Sequence, residues 1–565
     1  MNCSSQIERL SLLAVGVGLI CLVFVRSATA LQIQETLPAG GESPSSRSDA
    51  LVIPSSKLFN MAHPERMPNQ YIVVFKEREE LARDVPNSRA RSLGIASGEL
   101  PTTSESVTSI GLAMAERYRS ANLVPEEQRE NLRKIRHVYS NVFHGFSIDG
   151  ISPQQIATLA QDPRIKYVEA DVAAHPASVF ESVENSGGYI CNDDPTQFAS
   201  TSNPCDGVIS VTAIPCSGSL CAPWNLDRID QRIGLDGAYH YYATGAGVTI
   251  WVLDTGLQYN HNDFGGRAGN SIIGFVDNGM TVTPTTFPNS SAIYGPFCCD
   301  DTGHGTAVAS VAAGTIAGVA KGATVRGIQA YKTQADLIAG VDYVIQNKSA
   351  GPNIINFSVI IDAGDSLAPT LKQAVTAATN AGITIVSAAG NETASACGYA
   401  PGEFVNVINV GNADKTDTPD LTSNYGPCIA LFAPGIHVTI AYTGPSVDDH
   451  GACIFDSDSN SRYCTDSGTS YSAPMVAGIA ALYLENNPTA NFSTVRTALL
   501  KAASSGVIND PRSGSGSPNL LASAWVPGNS DGTTVSPGNG VPPGNSNAFN
   551  ALAPILNLLL NGKKQ

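Results

Sequence analysis

Between residues 223 and 525, short apolar runs alternate with Ala-rich stretches of helical length. That alternation constrains the fold more than any other feature. Strands read as continuous apolar runs only when both sheet faces are covered, and repeated strand–helix alternation favours a parallel sheet. The runs 248–253 (VTIWVL) and 383–386 (ITIV) are the clearest buried strands, and helices are expected over 304–317, 366–380 and 470–485. The chain has 565 residues, 42% hydrophobic and 15% charged, so it can fill a large core in more than one domain.

Upstream, residues 69–175 read as a small α+β unit. Its strands are expected at 71–75 (YIVVF), 146–148 and 165–169, with a helical pattern over 153–161. Residues 31–68, rich in Ser, Pro and Gly, read as a flexible leader, and 176–222 as a Cys-containing insert. Residues 1–30 have the outline of a signal peptide: an apolar run from Leu10 to Val25, then Ala28-Thr29-Ala30 as a cleavage motif. This implies secretion, with retention as a membrane or surface anchor the alternative. Residues 526–565 are a Pro/Gly-rich linker and apolar tail, read as a mobile or docking segment, with a GPI signal as the weaker reading.

The formal charge of −16 argues against nucleic acid or anionic lipid as the main partner. Ten cysteines lie beyond the signal segment, an even number that suits disulfides in an exported chain. Cys453 and Cys464 flank a short polar loop and are expected to close it. Pairings among Cys191, Cys205, Cys216, Cys221, Cys298 and Cys299 stay open. No CxxC pair is present, so zinc and thioredoxin-type chemistry are not expected.

Four segments together carry chemistry. Asp254 ends a buried strand, where ligand and catalytic groups collect in parallel sheets. His304, in Gly303-His304-Gly305-Thr306, opens an Ala-rich helix. Ser470, in Ser467-Gly468-Thr469-Ser470, starts another helix, whose N–H groups favour a nearby oxyanion. Asn391 follows Ala388-Ala389-Gly390 after a buried strand. Serine needs a base to remove its proton, the base needs an acid to orient it, and an amide aimed at the developing oxyanion lowers the acyl-transfer barrier.

The four segments, in the order Asp, His, Asn, Ser, resemble the subtilisin-like serine proteases, nearest the proteinase K-type branch. The triad order and oxyanion Asn are established for that family. The resemblance implies Asp254 as orienting acid, His304 as base, Ser470 as nucleophile and Asn391 as oxyanion donor. It implies a subtilisin-like three-layer α/β domain with a mainly parallel sheet over 223–525, and a ferredoxin-like α+β inhibitory propeptide over 69–175. Tyr71 to Phe75, Phe143-His144-Gly145-Phe146 and Val168-Glu169-Ala170-Asp171 carry the propeptide likeness. Cys397 and Cys428 resemble a disulfide of some members. Substrates would be proteins or peptides, the propeptide an intramolecular inhibitor, and the enzyme a monomer with no cofactor in catalysis.

Departures from the family pattern concern the substrate cleft. Ser358-Val359-Ile360-Ile361 replaces a Ser-Leu-Gly-Gly-like edge strand, so Ile360 is expected to narrow the cleft or shift the peptide. With Ser358, Val359 and Ile360, Ala388, Ala389 and Gly390 are the expected substrate-binding residues. The segment after Ala330-Tyr331-Lys332 is short, so the facing edge is expected to be trimmed. Segments 277–299 and 443–464 look inserted, as cleft rims or plain loops. Ala430 stands where proteinase K-type relatives place a calcium-binding Asp, so no metal ligand is assigned; the resemblance allows a structural calcium elsewhere without locating it. Sequons at Asn289, Asn347 and Asn491 suit glycosylation; Asn356 is expected in a buried strand and Asn391 in the oxyanion hole. The leading reading is a secreted serine endopeptidase made as a zymogen, cleaved within about 172–222. The alternative is a catalytically weak, peptide-binding pseudoprotease.

Overall fold

The computed structural model describes residues 57–77, 80, 135–177, 215–216, 219–220, 222–235, 237, 239–241, 243–269, 271–277, 282–288, 300, 302–363, 368–443, 453–454, 459–512 and 514–525. The expected signal peptide, the C-terminal tail, most of the expected 443–464 insert before residue 459 and most of the Cys-containing insert lie outside them. Among the described residues, no helix is long and apolar enough to cross a membrane.

The N-terminal unit contains β1 (Leu58–Phe59), β2 (Arg66–Phe75), β3 (Ile135–Tyr139), β4 (Gly145–Asp149), α1 (Pro153–Leu159) and β5 (Ile165–Val172). Its sheet order is β1-β5-β2-β4-β3. The four strands β5-β2-β4-β3 are antiparallel and have the ferredoxin-like order; β1 adds in parallel to β5. Ser152 caps α1 in a reciprocal capping box with Gln155, and Pro153 takes the first helical position. The ordered sheet therefore begins before the expected boundary at 69. Leu58–Phe59 and Arg66 onward are strand, because the Ser/Pro/Gly bias of the leader stops short of Lys57.

The run 71–75 is apolar at every position because β2 is buried on both faces. Tyr71, Val73 and Phe75 fill the unit's own core with Phe146, Ile148, Ile156 and Val168. Ile72 and Val74 point the other way, into a cluster shared with the large domain.

After β6 (His175–Pro176) and the hairpin β7 (Pro215–Cys216)–β8 (Ser219–Leu220), the large domain begins with α2 (Trp224–Ile229) and β9 (Thr249–Asp254). There follow β10 (Ser271–Asp277), β11 (Val282–Pro288), α3 (His304–Ala313), β12 (Thr324–Gln329), α4 (Gln334–Asn347), β13 (Asn353–Phe357), β14 (Val359–Asp362) and α5 (Pro369–Asn380). The domain closes with β15 (Thr384–Ala388), β16 (Tyr399–Ala400), β17 (Ile408–Ala413), β18 (Leu431–Pro434), β19 (Val438–Tyr442), β20 (Cys453–Ile454), β21 (Arg462–Asp466), α6 (Thr469–Asn486), α7 (Phe492–Ala502), β22 (Ser504–Ser505) and β23 (Leu520–Leu521).

The main sheet runs β11-β10-β12-β9-β13-β15-β17-β18-β23-β22. Its neighbours from β10 to β23 are parallel, with antiparallel strands β11 and β22 at the two edges. Part of the expected 277–299 insert is thus an edge strand of the sheet. Three layers result. Ile250 and Val252 of β9 pack with α3 and α6; Trp251 and Leu253 pack with α4 and α5. Alternation within one strand feeds both helical layers.

Candidate active site

The carboxyl ends of the parallel strands place the residues that the sequence singled out. Asp254, the last residue of β9, is fully buried, and its Oδ1 lies 2.7 Å from His304 Nδ1. His304 is the first residue of α3. Gly305 follows because the helix start presses on the loop after β9: a Cβ there would collide with the Gly256 carbonyl. Asp300, which the sequence reading missed, ties this junction together. Its carboxylate accepts from Thr255 Oγ1 (2.6 Å), Gly303 N (3.0 Å) and both Thr306 N (2.8 Å) and Thr306 Oγ1 (2.5 Å). No local sequence signal marks it, because its partners come from two separate elements.

Burial alone would lower the imidazole pKa of His304. The Asp254 charge and hydrogen bond, with Asp466 and Asp300 further off, outweigh it and raise the pKa above its ordinary value. Bonding to Asp254 through Nδ1 leaves Nε2 as the free ring nitrogen; it is buried without a hydrogen-bond partner among the described residues.

Ser470 sits in the first turn of α6 and is fully buried. Its Oγ donates to Ser358 O at 3.2 Å. Pro474, inside the same helix, has no N–H to return to the carbonyl of Ser470 four residues back. The Ser358 hydroxyl takes that place, donating to Ser470 O at 2.8 Å, and Asn356 Nδ2 donates to Ser358 Oγ at 3.0 Å. Behind this, Tyr471 Oη donates to Asp466 Oδ2 at 2.5 Å, its ring 6.0 Å from that of His304.

Asn391 has a defined amide orientation. Its Oδ1 accepts from Thr469 N at 3.1 Å, which turns Nδ2 toward the carbonyl oxygen of Ala177, to which it donates. Ser470 N donates to the same oxygen at 3.0 Å. Two N–H donors from different elements thus converge on one peptide carbonyl, beside the Ser470 hydroxyl.

That carbonyl ends a five-residue extended segment of this same chain. Ala177 N donates to Ser358 O at 2.9 Å, and β6 pairs antiparallel with β14, Pro176 opposite Val359 and His175 opposite Ile360. On the other side Ala174 N donates to Lys332 O at 3.0 Å, and Ala173 bridges Thr333. Segment 173–177 therefore lies between two edges as an added strand. Short as it is, the edge after Lys332 still pairs with the segment. The chain there runs straight into α4, with Thr333 as its N-cap, and Lys332 still presents its carbonyl. With Ile360 in place, β14 still pairs with the segment. Residues 358–360 supply the pairing, while Ala388 and Ala389 line the strand end that leads to Gly390 and Asn391.

The small unit is fastened to the helical layer by carboxylates. Glu169, fully buried, accepts from Thr370 N at 3.0 Å and from Thr370 Oγ1 at the start of α5, and from Asn60 Nδ2 at 2.8 Å. Asp171 Oδ1 accepts from Ala335 N at 2.9 Å at the start of α4. In the reverse direction, Asp336 on α4 meets His137 Nε2 at 2.7 Å and Arg136 Nη2 at 3.1 Å. Asp342, also on α4, receives the backbone N–H groups of Ser140, Asn141 and Val142. Burial and the charge of Asp336 push the Asp171 carboxyl up to about 7, against the pull of Ala335 N and Arg136.

Cys397 and Cys428 form a disulfide, with Cα atoms 5.2 Å apart. Cys464 is disulfide-bonded, and the β20–β21 ladder sets Cys453 opposite it. Ala430 lies on the approach to β18 and brings no oxygen from its side chain. Among the described residues, no cluster of three or more His, Cys, Asp or Glu side chains could hold a metal ion. The Ala430 position therefore offers no carboxylate to a calcium ion.

Comparison with known proteins bears on the same segments. The profile of the subtilase family matches residues 245–527, and that of the peptidase inhibitor I9 matches 70–176. An extracellular serine proteinase of Thermus sp. (strain Rt41A) is 32% identical over 486 residues, 84% of this chain and 94% of that protein. Alkaline serine exoprotease A of Vibrio alginolyticus is 33% identical over 387 residues, 67% of this chain and 59% of its own length. The crystal structure of a cold-adapted subtilisin-like serine proteinase matches at 34% identity and a TM-score of 0.45, over 54% of this chain and 99% of that one. The chain belongs to the subtilase family: it is a serine-type endopeptidase carrying its own I9 inhibitor domain.

Proposed function

We propose that Asp254, His304 and Ser470 are the catalytic triad, that Asn391 Nδ2 and Ser470 N form the oxyanion hole, and that the enzyme first cleaves its own chain between Ala177 and Ser178. One observation carries this reading: the Ala177 carbonyl oxygen accepts from both Ser470 N and Asn391 Nδ2. In the reaction, Ser470 Oγ turns from Ser358 O and attacks the Ala177 carbonyl carbon while His304 Nε2 takes its proton. Asp254 holds the imidazole by Nδ1 and stabilises the imidazolium. The two N–H donors hold the tetrahedral oxyanion. His304 then gives the proton to the Ser178 nitrogen, the amine leaves, and water, activated by the same imidazole, releases the acyl group.

After cleavage, segment 57–177 remains in place as a product-bound inhibitor, held by the carboxylate contacts of Glu169, Asp171, Asp336 and Asp342. Residues 1–30 direct export as a cleaved signal, residues 178–222 begin the processed enzyme as a Cys-bearing extension, and 526–565 follow it as linker and tail. The processed enzyme acts outside the cell as a monomer on protein and peptide substrates. Exposed Asn347 and Asn491 are the sequons suited to glycosylation among the described residues, whereas Asn356 is fully buried. Catalysis takes no cofactor; the triad and amide donors account for every proton and charge in the cycle.

Expression of the full chain beside Ser470→Ala tests the reading by intact mass, N-terminal sequencing and fluorophosphonate labelling. The normal chain should yield a new N-terminus at Ser178 and take the label; Ser470→Ala should stay joined and unlabelled. If neither chain labels after the inhibitor segment is removed by another protease, the assignment is wrong.

A further inference from the structure

The edge strand β14 departs from the family at one position with a direct consequence for what can be cleaved. Its side chains alternate. Val359 and Ile361 belong to the apolar cluster on the α4/α5 side, while Ile360 belongs to the cluster that also contains Ala177 and Ala388. Ile360 is fully buried, and Ala177 is 1% exposed. The free end of Ile360 lies against Gly390: a Cβ built on that glycine would sit 2.8 Å from Ile360 Cδ1. Gly390 immediately precedes the oxyanion amide of Asn391 and has φ +97°, open to glycine and strained for other residues. The wall beside the reacting carbonyl is therefore Gly390 on one side and a four-carbon branched side chain on the other. A glycine at position 360 would leave that volume to substrate.

We infer that Ile360 fills the pocket for the residue preceding the cleaved bond and restricts this endopeptidase to small residues there: alanine, with glycine and serine tolerated. The inference rests on the assignment of Ser470 and Asn391 above. The segment seated in the cleft agrees with it, since Ala177 occupies that position and its methyl group is already enclosed. Larger side chains would need Ile360 to leave a packed, β-branched site with few alternative rotamers. The neighbouring positions of the seated segment, Ala174, His175 and Pro176, define a matched probe.

The test uses the processed enzyme and the anilides succinyl-Ala-His-Pro-X-p-nitroanilide, with X as Gly, Ala, Ser, Leu or Phe, beside Ile360→Gly and Ile360→Ala. The unaltered enzyme should show kcat/KM for X = Ala at least about a hundredfold above X = Phe, in keeping with what one occluded pocket discriminates. Both variants should narrow that ratio at least about tenfold, through gain on Leu and Phe. A size-swap in the full chain adds a readout in the unaltered catalytic domain. Ala177→Phe should block self-cleavage at that bond, and Ile360→Gly in the same chain should restore it. If an enzyme that labels with fluorophosphonate prefers Phe or Leu over Ala, the inference is overturned and the triad assignment stands. A preference for Ala that neither variant changes, with no rescue of Ala177→Phe, also overturns the role of Ile360. If nothing is cleaved and nothing labels, the triad assignment itself fails and takes the inference with it.

Discussion

Removing the carboxylate of Glu169 should loosen the inhibitor domain by a predictable amount. Helix α5 has no side-chain cap of its own: its N-cap is Ala368, at φ 40°. The cap comes from the inhibitor domain, where Glu169 accepts from Thr370 N and Thr370 Oγ1. In Glu169→Ala both Thr370 donors stay buried in the complex without an acceptor, and α5 loses a negative charge at its positive end. Hydrogen bonds to a charged group contribute about 1.5–3 kcal/mol each. Part of that is offset, since burial raises the Glu169 pKa despite bonds from Thr370, Gln334 and Asn60. A net loss of about 2–4 kcal/mol remains, roughly thirty- to several-hundredfold in affinity. The assay is inhibition of the processed enzyme by separately expressed segment 57–177, unaltered or carrying Glu169→Ala or Glu169→Gln. Glu169→Gln keeps one acceptor oxygen and should lose about tenfold or less. A change under threefold for Glu169→Ala, or an equal loss in both variants, would refute the capping argument.

Three other outcomes follow from the same geometry. His304 must be neutral to take the Ser470 proton, and its pKa is raised. The acidic limb of kcat/KM against pH should therefore lie above the ordinary imidazole value of about 6.5, and a limb below it would contradict the Asp254 contact. Asp171 should make inhibition weaken with rising pH. Its carboxyl sits at about 7 in the complex and, once exposed, near about 3.9, so binding takes up a proton. The contribution is full below about 4 and lost as pH climbs through about 7. The inhibition constant of segment 57–177 should rise over that window, and Asp171→Asn should flatten the rise. Replacing Cys397 and Cys428 by Ser opens a link across a sequence separation of 31. Loop-entropy arguments put the loss at about 3–4 kcal/mol, read as a lowered midpoint in guanidinium unfolding.

The groups proposed to carry the chemistry are legible in the sequence because each sits at a punctuated boundary. Asp254 ends an apolar run, His304 follows Gly303 and Ser470 lies two residues after Gly468, both at helix starts, and Asn391 follows Gly390. Buried strands were legible for the same reason, since only a doubly covered strand reads as apolar throughout. What stayed hidden depends on pairing across the fold. Ala177 carries no local mark; its place comes from β14 on one side and Lys332–Thr333 on the other. Asp300 is read only through Thr255 and Thr306. The sheet residues before 69 were masked by their leader-like neighbourhood, because β1 has only two residues and gains its place by pairing with β5. How far the short edge after Lys332 reaches rests on a single carbonyl, that of Lys332, which no count of residues reveals.

Strand β2 sets a clock on inhibition. Ile72 and Val74, with Tyr139, Val142 and Phe143, are buried only while the inhibitor domain sits on α4 and α5. Once dissociated, the domain turns that apolar stripe to water and keeps only the smaller cluster of its other face to hold it folded. Each such departure is therefore a chance to unfold within reach of an enzyme that has just been freed. A released copy that is cut cannot return, so a reversible inhibitor becomes a one-way switch. Activation should then begin with a lag and accelerate, since every molecule that opens first destroys the inhibitors shed by its neighbours.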